Sequence, residues 1–469
     1  MPGQTIKTAV VLAAGLGTKF WPYNVVRQKA AFPIANIPAV RRTVDTLTTL
    51  GIDRIIVVVG QGEPSVRAAL RGCAGTPIYV RQPQPLGTAE AVLHASAYLD
   101  DDFLVVAGDV VTAEQNLSAL LASFNRERPL AAALIQPLGK ESAQDWLGAF
   151  PEASVKGAQT QLRAVEGHTR GGCQHRLAGV YAFRTAALDY LRDNPGIMTQ
   201  VPVGGMPPLE AEIAQSLQMM IDENQAVLAI ETVGYHIDLD KPWHIDQANE
   251  TMINAMHASL TANVIPASSR IHAGAEIEGH VVLGENCEIG NRVVIKGDLW
   301  LGDNSRVLNG AILEGPTVIG KNTIVQNYCQ IGSHTTLGNR SHYGHGAEFS
   351  GVALDTVYCY HYMEIWGVVG QAVDFGAATV CGNLRFDDTE TVWRVKGRPE
   401  RPTHAANAAY FGDFCRTGVN AIIMPGRRIG VYSLVGPGVV LYDDLPDRQV
   451  LTVQQELTMR PWGPERYGW

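Results

Sequence analysis

The chain has 469 residues, enough for two or three domains with full cores. Hydrophobic residues make up 46% and charged residues 18%, the profile of a folded protein. The net charge of -9, with no basic block, argues against a nucleic-acid partner, and no stretch reaches the roughly 18 apolar residues of a membrane span. The first predicted element is the apolar run Ala9 to Leu12, a buried strand. A glycine turn follows, Gly15-Leu16-Gly17-Thr18, then Lys19, with Lys29 ten residues on. The run RIIVVVG (54–60) reads as a β-branched strand and PSVRAALRG (64–72) as a helix. FLVVAGD (103–109) is another strand and NLSALLASF (116–124) another helix. Alternation of this kind, with near-continuous apolar strands, predicts a Rossmann-like α/β domain: a mainly parallel sheet with helices on both faces. WHIDQANETMINAMHASL (243–260) reads as a helix closing this domain, which spans 1–258.

The second half obeys a different period. Every sixth residue from Ile265 to Leu337 is Ile, Leu or Val, thirteen positions in succession. Gly follows six of them, at 284, 290, 302, 320, 332 and 338. A fixed period means stacked units that bury one residue type in a shared interior column. Six residues per side, three sides per coil, predicts a parallel β-helix over 259–445, followed by a tail over 446–469. The phase is lost near Tyr343 and resumes at Ile423, so the repeat is expected to break over 343–422. Hexapeptide repeats of this kind resemble the left-handed β-helix of the hexapeptide acyltransferases, and its handedness is what that resemblance implies. The seven cysteines form no C-x-x-C pair, which indicates neither a zinc site nor a disulfide framework. A cytoplasmic setting is expected, the apolar run after Lys7 being short and soon followed by charges and aromatics.

The glycine turn fits neither common phosphate-binding pattern. It lacks the Walker A order, and the third glycine of G-x-G-x-x-G is Phe20. The wider stretch is more specific. LAAGLGTKFWP, carrying Leu12, Ala14, Gly15, Gly17, Thr18 and Lys19, is followed by Lys29-Ala30-Ala31-Phe32-Pro33, and together they resemble the signature of sugar-1-phosphate nucleotidyltransferases. RQPQPLGTAEAVLHA (81–95) is similar to the base-sensing segment of that family, with Gln82, Gly87 and Thr88 matching. The resemblance implies nucleotide binding by these residues and neutralisation of the triphosphate by Lys19 and Lys29. It implies Mg²⁺ ligation by Asp109, at the end of FLVVAGD, and by Asp238 in YHIDLDKPWHIDQANE. It places Gly148 and Glu166 at sugar-binding positions. The chemistry is coherent: a glycine turn brings backbone N–H groups to phosphate oxygens, lysines offset charge on the leaving group, and two carboxylates suit a hard Mg²⁺. The acceptor side departs from the family. Glu166-Gly167-His168 stands where the family has Glu-Lys-Pro, so the expected lysine is absent, Leu177 replaces an asparagine, and Asp240-Lys241 replace Gly-Thr.

In the second half, FGAATVCGNLRFDD (375–388), VKGR (395–398) and YFGDFCRTGVNAIIMPG (410–426) resemble the acetyltransferase half of bifunctional sugar-1-phosphate nucleotidyltransferase/acetyltransferases of the archaeal type. That family joins N-acetylglucosamine-1-phosphate uridylyltransferase to glucosamine-1-phosphate acetyltransferase. The resemblance implies Ala377 and Asn383 near acetyl-CoA and acceptor, and His361 as the base. The motif around His361 is one residue short, and Ser350 stands where a lysine is expected. The expected function is a nucleotidyltransferase that makes a nucleotide sugar, or a cyclitol derivative, from a nucleoside triphosphate and a 1-phosphate. N-acetyl transfer from acetyl-CoA is the second activity and a homotrimer the assembly. The alternatives are nucleotidyl transfer alone with the β-helix as scaffold, and a non-catalytic ligand-binding protein.

Overall fold

The computed structural model describes residues 6–152 and 159–467. The two ends of the chain, including the last two residues of the tail, lie outside the described residues. The predicted strands appear as Thr8–Ala13, Arg54–Val59 and Phe103–Ala107, and the predicted helices as Glu63–Ala69 and Glu114–Glu127. The Thr8–Ala13 strand lies centrally, parallel to both Arg54–Val59 and Phe103–Ala107. Its apolar run is nearly continuous because both faces are covered, by two separate clusters of buried side chains. The nine-stranded sheet is more mixed than the expectation of a mainly parallel one. Strand His175–Phe183 runs antiparallel to Phe103–Ala107, Ala131–Pro137 and Gly148–Pro151. Those reversals have no signature in hydrophobic periodicity, which reports burial and not direction.

The second half is a parallel β-helix, of the left-handed type that the resemblance to the hexapeptide acyltransferases implies. Arg270–Ile271 pairs with Glu288–Ile289, which pairs with Arg306–Val307, a rise of one coil every 18 residues. The expected break at 343–422 is corrected by the structure. The column continues through Tyr343, Cys359, Phe375 and Thr417, paired in turn. Two coils simply shorten to 16 residues, because the six-residue strands Glu348–Ala353 and Glu364–Val369 each span what were two sides. Losing two residues per coil shifts the sequence phase, and the interior positions pass to Tyr, Phe and Cys, all buried. The true insertion lies between the strands Val380–Cys381 and Ala409–Phe411.

The halves share a third core. Phe20, Tyr23, Phe32 and Trp243 of the first half pack with Val318, Val352, Val368, Trp393 and Tyr410 of the second. Helix Trp243–Ser259 lies along the β-helix, with Asn249 donating to the His334 carbonyl and accepting from Thr336. Arg27 and Asp413 form a two-pronged ion pair across the join, the Asp413 side chain being fully buried.

Candidate active site

The site begins where the Thr8–Ala13 strand runs out into the glycine turn. Gly17 takes a left-handed conformation (φ 59°) and opens the short 3₁₀ turn Thr18–Phe20. A Cβ on Gly15 would meet nothing within 4 Å, so backbone here faces open space. The turn is held from behind by Gln28, whose Nε2 donates to the carbonyls of Ala13 (2.9 Å) and Gly15 (2.6 Å). Sequence reasoning passed over Gln28, although its place just before Lys29 was the available signal.

A cavity of about 390 Å³ opens over this turn. Leu12, Ala14, Gly15, Gly17, Thr18, Lys19, Lys29, Gln82, Gly87, Thr88 and Asp109 all line it, so the structure brings the expected nucleotide residues and Asp109 together. At one end, Gly87 sits at φ 113°, pressed so close to Ala211 that a Cβ would lie 2.4 Å from its carbonyl oxygen. Gln82 is buried, donating to the Gly87 carbonyl at 3.1 Å and to Glu90. Thr88 donates to Glu212 at 2.6 Å and accepts from the Ile213 amide. Burial foremost pushes the Glu212 carboxyl above its ordinary value. Glu210 and Glu212 also line the cavity and were missed. They come from a segment without periodicity, over a hundred residues from Thr88, and only chain folding brings them there.

At the other end lie the charges. Lys29 Nζ is 2.5 Å from Asp109, 3.8 Å from Asp238 and 3.9 Å from Asp240. Lys19 reaches Asp240 at 3.2 Å. Asp109 and Asp238 converge because Val110–Thr112 and His236–Asp238 form a two-stranded antiparallel ladder. Burial lowers the Lys29 pKa, but Asp109 above all, then Asp238 and Asp240, raise it to a net upward shift. Burial pushes the Asp238 carboxyl up to about 7 against the pull of Lys29, with Asp109 and Asp240 adding to the rise. The Asp240 carboxyl is held well below its ordinary value: burial opposes this, but Lys19, Lys29 and Lys241 outweigh it. Oδ1 of Asp238 is buried and accepts no hydrogen bond, which leaves it available to a cation. Among the described residues no cluster of three or more His, Cys, Asp or Glu forms a protein cage for a metal. Two carboxylates nonetheless fit Mg²⁺, which keeps several waters and takes phosphate oxygens as further ligands.

Gly148 and Glu166 face each other in an antiparallel ladder, but neither lines this cavity. Leu177 is buried, while its neighbour Arg176, also buried, stacks 3.8 Å over Trp146 and bonds Glu141 at 3.1 Å. In the β-helix, His361 is exposed, and its carbonyl accepts the amide of Ala378 from the next coil. That stacks His361 one coil away from Ala377; Asn383 is exposed at the start of the insertion. Burial, and then the nearby His361, hold the His342 imidazole below its ordinary value. The remaining resembling segment, 395–398, does not stay with His361. It forms the tip of the antiparallel hairpin Trp393–Val395/Arg398–Glu400, and Lys396 at that tip lines the cavity of the first half.

Residues 9–189 match the family model of the MobA-like NTP transferase domain. That match lies wholly within the first half of the chain. Along nearly its whole length the chain resembles the bifunctional GlmU proteins. GlmU of Methanococcus maripaludis strain C7 is 29% identical over 454 residues, 96% of this chain and 98% of that one. A bifunctional sugar-1-phosphate nucleotidylyltransferase/acetyltransferase of Sulfurisphaera tokodaii is 24% identical, over 93% of this chain and 98% of its own. Among solved structures, UDP-glucose pyrophosphorylase from Acinetobacter baumannii aligns at 22% identity with a TM-score of 0.47, over 54% of this chain and 95% of that one. No helix among the described residues is long and apolar enough to cross a membrane.

Proposed function

We propose that this protein is a sugar-1-phosphate nucleotidyltransferase whose first half joins a nucleoside triphosphate to a sugar or cyclitol 1-phosphate. The observation that carries this reading is the single cavity in which the glycine turn, Gln82, Gly87 and Thr88 meet Lys19, Lys29 and Asp109. The relatives named for bifunctional nucleotidyl and acetyl transfer support it over nearly the full chain. A phosphate oxygen of the acceptor attacks the α-phosphorus; the bond from the α-phosphorus to the bridging oxygen breaks, and pyrophosphate leaves. The protein contributes position and charge, since such transfers need little covalent work from it. Backbone N–H groups of the turn approach the phosphates, and Gln82, Gly87 and Thr88 bound the base. Lys19 and Lys29 offset the charge that builds on the leaving pyrophosphate. Asp109 and Asp238 are the residues that would hold Mg²⁺, which when bound neutralises phosphate oxygens and aligns them for in-line displacement. Gly148 and Glu166 belong to the acceptor side in this reading.

The second half is read as an acetyl-CoA-dependent N-acetyltransferase, with His361 as base and Ala377 and Asn383 at the acyl donor and acceptor. The exposed position of His361 at a coil corner, with His342 beside it, supports this. Exposed Tyr328 and Tyr362 flank His345 in edge-on contacts on the same side, a face suited to apposition in a homotrimer. The cytoplasm is the setting that accords with seven free cysteines, five of them buried. The test is pyrophosphate release with Mg²⁺ across the common nucleoside triphosphates and a panel of sugar and cyclitol 1-phosphates, with acetyl-CoA added to read CoA release. Release with any pair is expected, and Asp109→Asn should lower it roughly a hundredfold or more with little change in Tm. Silence across the panel while nucleotide still binds would overturn nucleotidyl transfer.

A further inference from the structure

The β-helix sends a hairpin into the first half's site, and its tip is basic. Strands Trp393–Val395 and Arg398–Glu400 pair with Val395 opposite Arg398, leaving Lys396-Gly397 as a two-residue turn. Both turn residues have positive φ, 47° and 83°, the backbone of a tight hairpin turn that asparagine and glycine normally occupy. A lysine in the left-handed region is strained. It has the wrong side chain for the turn and the right one for an anion.

The hairpin is fixed on both sides. Trp393 is buried, 5.1 Å from Trp243 and 4.7 Å from Tyr410 between ring centres, and its indole N–H donates to the Ala406 carbonyl. Arg398 bonds the Gln144 carbonyl at 3.2 Å and the Asp145 carboxylate. Glu400 pairs at 2.6 Å with Lys241, which is itself 3.8 Å from Asp240. Asp240 in turn binds Lys19, so these anchors tie the hairpin to the side of the cavity that carries Asp240, and Lys396 at the tip lines that cavity. At that end the other cations are already engaged by carboxylates: Lys29 by Asp109, Asp238 and Asp240, and Lys19 by Asp240. Among the described residues, Lys396 is the cavity-lining cation with no carboxylate partner.

We infer that Lys396, carried across from the β-helix on this hairpin, is a phosphate-binding residue of the first half's site and grips the polyphosphate of the nucleotide. The inference rests on the nucleotidyltransferase reading and extends it: the site is complete only when the second half is folded against the first. It also gives a reason for a strained lysine at a rigidly anchored tip.

The test uses the full chain and inorganic tripolyphosphate with magnesium chloride, titrated by calorimetry. Lys396→Asn suits the turn backbone and removes the charge, Lys396→Arg keeps the charge, and Arg394→Ala removes an exposed charge from the same hairpin. Expected are a loss of affinity of about tenfold for K396N, near-complete recovery in K396R and no change in R394A, with the Tm of K396N equal to or above that of the parent. Equal affinity of parent and K396N, an equal loss in R394A, or no binding by the parent would overturn the inference. Pyrophosphate release by the parent, on the same preparation, tests the reading beneath it separately. Its absence with tripolyphosphate binding intact and sensitive to K396N rejects nucleotidyl transfer and keeps the lysine's role.

Discussion

Gly87 shows how a single residue shapes the Gln82–Gly87–Thr88 end of the cavity. Its φ of 113° is open to glycine and strained for any other residue, and the Ala211 carbonyl fills the space a Cβ would need. That close approach lets the Ala211 backbone bond both Leu86 and Ala89, and so brings Glu210 and Glu212 to the cavity wall. Gly87→Ala should therefore cost about 1–3 kcal/mol from backbone strain and forced displacement. Thermal unfolding checks it, together with a weakened nucleotide affinity. An unchanged Tm would show that the loop relaxes freely and that the contact with Ala211 does not position it. Gln82 behaves differently, being already committed to Gly87 and Glu90. In the proposed role of bounding the base, Gln82 would act through the geometry those bonds set.

Between elements, the decisive contact is Arg27 with Asp413. Arg27 lies in the loop between the glycine turn and Lys29; Asp413 is fully buried and also accepts the Gln371 amide at 2.7 Å. Removing one partner leaves a buried charge uncompensated, whereas replacing both with apolar groups does not. Arg27→Ala should cost about 3–5 kcal/mol, and the pair Arg27→Met with Asp413→Leu much less. Chemical unfolding followed by tryptophan fluorescence distinguishes them, because Trp243 and Trp393 lie in the shared core. Equal losses in both variants would mean that the ion pair is not what joins the halves. The loop that Arg27 tethers leads straight into Lys29, which ties this join to the charged end of the cavity.

At the scale of the molecule, the two halves behave as one unit, and pH should report it. His404 of the insertion bonds Asp246 of the closing helix at 2.9 Å, with Glu250 at 3.5 Å. The bond to Asp246 raises the imidazole pKa above its ordinary value, against the opposing effect of burial. A raised folded-state pKa means stabilisation that is fully present below about pH 6.5 and lost as pH rises through the folded value. The Tm should thus fall between pH 6 and pH 9 by more in the parent than in His404→Gln. Parallel falls in the two proteins would remove His404 from the account. The same unity underlies the hairpin at Lys396, since the anchors Asp145 and Lys241 belong to the first half and Arg398 and Glu400 to the second.

The period of six, and the alternation of strand and helix before it, were enough to foresee two architectures and their order. Each depends on local burial, which repeats along the chain and leaves a trace in residue type. The glycine turn, Lys29, Gln82 and Asp109, singled out by resemblance, do meet in one cavity, the turn and Asp109 because they follow paired parallel strands. Other features left no local trace. The antiparallel reversals around His175–Phe183 do not alter burial. The 16-residue coils keep the column but shift its phase, so a continuous solenoid looked broken. VKGR resembled part of an acetyltransferase, and in the fold it tips a hairpin over the other half's cavity. The residue types available to each half were set by the sequence alone; which of them meet in one cavity was decided by packing, through ion pairs and a shared aromatic core between segments hundreds of residues apart.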